Sequence, residues 1–267
     1  MVSEIQESLE WRSILDALSS ISVETARATL GNRGVVAYTD GACIKNPGGP
    51  AGWSVILASV DYVDGEHIRE GAPRIECYGH IPRSEGTTNN RAEIAAVLAA
   101  LCLAPRDQPL IIHSDSEYTI KVAQGIFQAK ANPDLWELYR VLLKKRAIPP
   151  TFEWVRGHAG QAHNERADEL AGLGAWNGDV EGYRRWQESM APEARSGLSS
   201  PELAALRQQV QRLKTYFDTI ALDSPRVGAN ERLFINDMAK RLQKHNFAPS
   251  EKQNNWVKVL VRKYKDA

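Results

Sequence analysis

Apolar positions along the chain change their spacing several times, and each change predicts a different kind of element. Over residues 3–30, Ile5, Leu9, Leu15, Leu18 and Ile21 recur near helical spacing until Gly31 and Gly34 interrupt them, so a leader helix is expected there. From Val35 the pattern becomes that of strands. Residues 35–39 are rich in β-formers, residues 53–57 follow a Gly/Pro turn, and residues 75–81 follow a polar loop at 61–73, which together predict three meandering strands. Ile94, Val97, Leu98 and Leu101 then mark a helix over about 88–103 that Pro105 stops. Residues 110–114 read as a short buried strand, with Asp115 and Ser116 as caps of a second helix. A third helix over 134–145, a strand over 152–155 and a helix over 164–173 complete the series. Three strands followed by alternating helix and strand predict an α/β sheet, antiparallel at its start and parallel later.

Residues 174–199, rich in Gly, Glu, Ser and Trp, read as a connector with at most a short helix near 183–190. Beyond it, Ser200 and Pro201 supply a cap and a first-turn proline, and Leu203, Leu206, Val210, Leu213, Phe217 and Ile220 alternate spacings of three and four. Phe234, Met238 and Leu242 mark a further helix, and Ser250 with Gln253 forms a capping box ahead of Trp256, Leu260 and Tyr264. The chain therefore divides into an N-terminal helical leader (1–33), an α/β domain (34–175), a linker (176–199) and a small all-α C-terminal unit (200–267). The heptad seam is expected to close within one chain as a bundle, giving a monomer, with dimerisation through the seam as the alternative.

Composition narrows the class. At 267 residues, 43% hydrophobic and 25% charged, the chain can bury one sizeable core and a smaller one. Its zero net charge hides an asymmetry: residues 200–267 carry 13 Lys/Arg against 7 Asp/Glu, leaving 20 against 26 in residues 1–199. A basic C-terminal unit beside an acidic remainder suits a nucleic-acid or protein contact through that unit, and equally a solvated helical face. Cys43, Cys77 and Cys102 stand at wide spacings without a paired-ligand pattern, so neither a disulfide framework nor a zinc site is indicated, and a cytoplasmic setting is expected. Glu4, Glu7 and Glu10 argue against a secretory or transit leader, and no run approaches ~18 apolar residues, so no membrane partner is expected.

Four carboxylates carry the chemistry. Asp40 lies in the first strand, Glu93 one turn into the helix that follows the third, Asp115 at the end of the 110–114 strand, and Asp168 four residues after Asn164 on one helical face. Singly, each has an ordinary structural explanation. Converging at about 5 Å they would repel by roughly 3 kcal/mol per pair at an effective dielectric near 20, so the cluster calls for cations or protons. All-oxygen ligation of this kind suits Mg²⁺ or Mn²⁺, and two such ions can activate water and stabilise a leaving oxygen in phosphodiester hydrolysis.

The surrounding strings are specific. Tyr38-Thr-Asp-Gly-Ala, Asn46-Pro-Gly-Gly, Thr87-Thr-Asn-Asn-Arg-Ala-Glu93, Ser114-Asp-Ser-Glu-Tyr118 and Trp154-Val-Arg-Gly-His-Ala-Gly160 followed by Asn164-Glu-Arg-Ala-Asp168 resemble, in order, the signature of the type 1 ribonuclease H family (the bacterial ribonuclease HI type) over residues 35–174. The resemblance implies a ribonuclease H-like fold, a five-stranded mixed sheet flanked by helices. It implies endonucleolytic cutting of the RNA strand of RNA–DNA hybrids by two Mg²⁺ ions, with Mn²⁺ as substitute, held by Asp40, Glu93, Asp115 and Asp168. It makes His158 the catalytic-loop histidine, suited by a near-neutral imidazole to proton movement or product departure. It also places Asn46, Thr88, Asn89, Asn90 and Asn164 at the substrate, where sensing a ribose 2′-hydroxyl distinguishes RNA from DNA. Helix capping explains the Thr88–Asn90 pattern as well, and the two roles are compatible. The sequence departs from the family at residues 124–133, where a long basic protrusion is reduced to a stretch with Lys130 as its one cation, and at Glu117, where some members carry an amide.

Overall fold

The computed structural model describes residues 8–64, 67–157, 161–221, 224–244 and 247–265. They form two compact units, divided between residues 183 and 184.

The first unit opens with two helices, α1 (Leu9–Leu18) and α2 (Val23–Leu30), where the apolar spacing predicts one. Serines make the break. The Ser19 and Ser20 hydroxyls donate back to the Asp16 and Ala17 carbonyls at 2.7 and 3.0 Å, and Ser22 caps α2 by accepting from the Thr25 amide at 3.0 Å. Such local bonds compete with helix continuation. The chain then runs through β1 (Val35–Cys43) and β2 (Ala51–Ser59). The polar stretch read as plain loop holds a short 3₁₀ turn (Val60–Tyr62) and a two-stranded hairpin, β3 (Val63–Asp64) with β4 (His67–Ile68). Next come β5 (Arg74–Ile81), α3 (Asn89–Leu103), β6 (Leu110–Ser114), α4 (Glu117–Ala123), α5 (Pro133–Lys144), β7 (Thr151–Trp154) and α6 (Ala162–Ala175).

Five strands make one mixed sheet in the order β5-β2-β1-β6-β7. β1 pairs antiparallel with β2, placing Asp40 opposite Ser54, and parallel with β6, placing Val35 opposite Leu110. Both faces are covered, which is why every residue of β2 is buried instead of every second one. On one face Ala37, Val55 and Leu57 pack with Ile94 and Leu98 of α3, Trp136 of α5, and Ile14 and Leu30 of the leader helices. Val36, Tyr38 and Ile56, pointing the other way by the strand's two-residue period, pack with Ala167 and Leu170 of α6.

Close approach depends on missing side chains. A Cβ on Gly41 would stand 2.2 Å from the Glu93 amide nitrogen, and one on Gly52 would stand 2.2 Å from the Ala171 carbonyl oxygen. These two glycines let α3 and α6 lie directly on the sheet. The leader is tied in as well: the fully buried Trp53 donates its indole N–H to Ser13 at 2.8 Å. Arg91 grips Glu10 at 2.6 and 2.8 Å and Asp134 at 2.6 and 3.0 Å, joining α1, α3 and α5.

After α6 come two helices in the region read as a connector, α7 (Val180–Met190) and α8 (Pro192–Ser196). The second unit then contains α9 (Ser200–Asp218), α10 (Ala229–Leu242) and α11 (Glu251–Lys263). The α9 cap is Ser199, one residue earlier than the sequence suggests, because Glu202 reaches back to the Ser199 amide at 2.8 Å. Leu206, Val210, Leu213 and Phe217 of the seam meet Ile235, Met238, Val257 and Leu260, so the bundle core closes within one chain. Among the described residues, no helix is long and apolar enough to cross a membrane.

Candidate active site

Three of the four expected carboxylates come together, from within β1, from the second turn of α3 and from just past β6. Asp40, Glu93 and Asp115 each offer an oxygen within 4.8 Å of the other two. β1 carries Asp40 into the site. Thr88, extended and accepting from the Arg91 amide at 3.3 Å, starts α3 so that Glu93 falls one turn later, where the Gly41 contact brings helix and strand backbones together. Asp115 leaves β6 without capping α4, whose N-cap is Ser116. Its main-chain carbonyl accepts from the Glu117 amide at 3.0 Å and the Trp154 indole at 3.1 Å. On the far side, a Cβ on Gly157 would sit 2.5 Å from Asp115 Oδ2, so only glycine leaves the carboxylate its place.

The fourth carboxylate, Asp168 on α6, is exposed, but its charge reaches the cluster. Burial pushes the Asp40 carboxyl well above the usual carboxylate range, and the charges of Asp168 and Asp115 raise it further. Glu93 is raised for the same reasons, burial first, then Asp40, Asp115 and Asp168, while a Gly41 backbone hydrogen bond lowers both. Glu93 Oε2 is buried with no hydrogen-bond partner. A buried orphan oxygen beside two more carboxylates is a donor set short of a cation. The hard, all-oxygen character of that set fits a divalent cation.

A polar rim adjoins the carboxylates. The exposed Asn46 side chain accepts from the Asn89 amide at 3.3 Å, and the Gly48 amide donates to the Thr87 carbonyl at 2.8 Å, so the β1–β2 turn and the start of α3 form one surface. Asn89 is half-buried, its side-chain amide 3.4 Å from Glu93 Oε1, and Asn90 is exposed. Asn164, in the first turn of α6, is instead 2% exposed, with its Oδ1 lacking a hydrogen-bond partner. His158 lies outside the described residues. Sequence reading passed over Gly41, Gly157 and Trp154 as site residues. Gly41 directly follows Asp40 inside a quoted motif, and that adjacency was the available signal; Gly157 and Trp154 meet Asp115 only through the fold.

A mixed α/β sheet that, with α3, gathers acidic groups able to hold a divalent cation, bordered by asparagines, has the build of a carboxylate-centred enzyme. Residues 32–176, more than half the chain, match the RNase H family, and the protein belongs to it. It is 38% identical over 153 residues to the Ribonuclease H of Polaromonas naphthalenivorans, covering 52% of this chain and 86% of that one. To the Ribonuclease H of Halorhodospira halophila it is 40% identical over 159 residues, covering 53% and 93%. Among solved structures, the N-terminal RNase H domain of Rv2228c from Mycobacterium tuberculosis aligns with a TM-score of 0.45 at 26% identity, covering 57% of this chain and 99% of that one.

Proposed function

We propose that the protein hydrolyses the RNA strand of RNA–DNA hybrids endonucleolytically, using two divalent cations held by Asp40, Glu93, Asp115 and Asp168. The convergence of three carboxylate oxygens within 4.8 Å, two of them on buried side chains, is the observation that carries this reading. Mg²⁺, or Mn²⁺ in its place, supplies water activation and charge neutralisation at the leaving oxygen when bound.

The chain's own residues do the rest. Asp40 and Glu93, whose burial disfavours their charged forms, gain most from cation binding, which is what makes the site selective for charge. Gly41 and Gly157 keep Glu93 and Asp115 at the spacing a bridging donor set needs. Asn46, Asn89 and Asn90 present amides beside the carboxylates, suited to ribose hydroxyls in a shallow groove, and Thr88 at the helix start suits a phosphate of the DNA strand. Asn164, one turn before Asp168 on α6, is buried and reaches substrate only if its side chain turns outward. His158 is assigned proton movement or product departure on sequence grounds. The protein acts as a monomer whose α/β unit does the chemistry.

Cleavage of an end-labelled hybrid tests this directly. Mg²⁺-dependent cutting of the RNA strand, with duplex DNA left intact and Asp115→Asn slower by at least about 100-fold, is expected. Normal cutting by Asp115→Asn would remove Asp115 from the mechanism.

A further inference from the structure

The α/β unit is poorly charged for a polyanion. Residues 1–199 carry 20 Lys/Arg against 26 Asp/Glu, and the segment between α4 and α5 supplies a single cation, Lys130. Residues 200–267 carry the complementary excess, 13 against 7.

That excess is sharpest on α11, where Lys252, Lys258, Arg262 and Lys263 face one acid, Glu251. The helix buries Val257 and Leu260 and turns a second, outward stripe to solvent. Lys252, Trp256, Val259 and Lys263 follow one another at steps of four, three and four, so they share one face, running about 16 Å along the axis. Trp256 is 50% exposed and Val259 58%. The indole is held from behind by Phe234, ring centres 5.7 Å apart. Lys263 is bound to Glu231 at 2.8 Å, whereas Lys252 and Arg262 make no ion pair among the described residues.

A braced aromatic ring and an aliphatic side chain between cations do not serve the bundle's own packing. They match a nucleic-acid strand, which offers phosphates to the cations and sugar faces to the ring. We propose that this face of α11 is a second binding surface for the RNA–DNA hybrid, replacing the charge that the α/β unit lacks. Trp256 and Val259 lie against sugars, and Lys252 and Arg262 meet phosphates. The inference rests on the hybrid-cleaving reading for its ligand.

Binding of the full-length protein to a fluorescein-labelled hybrid, followed by anisotropy in EDTA across a salt series, separates the two claims because no cleavage is involved. Trp256→Ala is expected to weaken binding about tenfold with the salt slope unchanged, as for loss of one aromatic anchor. Trp256→Phe should retain most of the affinity. Lys252→Gln with Arg262→Gln should flatten the slope by about 1.8, two phosphate contacts. All variants should stay folded at the assay temperature, as read from their thermal transitions. Affinity and slope indistinguishable from wild type in both the Ala and the double Gln variants would overturn the proposal. So would a two-chain sedimentation mass that Trp256→Ala converts to one, which would assign the face to self-association. Wild-type protein that binds in EDTA but fails to cut with Mg²⁺ would refute the proposed activity and leave this surface standing.

Discussion

Replacing Gly41 with alanine is the sharpest test of how the site is assembled. The added Cβ would meet the Glu93 amide nitrogen at 2.2 Å, the Ala92 carbonyl carbon at 2.5 Å and the Glu93 Cα at 2.8 Å. All three are main-chain atoms, so no side-chain rotation relieves the contact. Restoring an ordinary separation requires α3 and β1 to part by about 1 Å, and overpacking of that kind costs roughly 1–3 kcal/mol. The displaced helix is the one that carries Glu93 toward Asp40, and a 1 Å misplacement at a reacting centre costs on the order of 100-fold in rate. Urea unfolding and steady-state cleavage of a labelled hybrid read the two effects separately. Gly79→Ala provides the control, since its Cβ would strike the Ser13 hydroxyl and the Trp53 ring at 2.6 Å, which are side-chain atoms and not the backbone of α3. Both variants should lose stability, but the folded Gly79→Ala protein should keep kcat. A Gly41→Ala enzyme with wild-type kcat would refute the claim that backbone contact sets the carboxylate spacing.

Two further outcomes follow from the electrostatics. Asp40 and Glu93 have folded-state pKa values above their unfolded ones, so in EDTA their contribution to folding stability is greatest at acid pH and declines as pH rises from the ordinary carboxylate range through the raised values. Asp40→Asn should remove much of that decline and be the more stable protein at neutral pH without cation, by up to about 3 kcal/mol, the size of one close charge pair; thermal melts with and without Mg²⁺ check the sign. Glu10→Ala should destabilise the first unit by about 2 kcal/mol, because it leaves the half-buried Arg91 guanidinium with Asp134 as its one remaining carboxylate; an unfolding midpoint equal to wild type would show the Glu10–Arg91 pair to be dispensable.

Local patterning determined much of this protein before any fold was in view. The run of β-formers in β1, the Thr88 cap and the heptad seam of α9 depend on near neighbours, and each is visible as residue types in a short stretch of chain. The order of the acidic motifs likewise picked out Asp40, Glu93 and Asp115, which the fold brings together. Sequence spacing misjudged elements decided by weak local competition, such as the serine break between α1 and α2 and the Ser199 cap. What only tertiary structure decided is how near those acids stand. Asp40 and Glu93 are 53 positions apart, and their approach is set by a missing Cβ at Gly41, a fact about two backbones in contact that no one-dimensional pattern contains. Burial, the raised carboxyls and the orphan Glu93 oxygen arise from the same cause, because desolvation is a property of everything packed around a group and not of the group's neighbours in sequence.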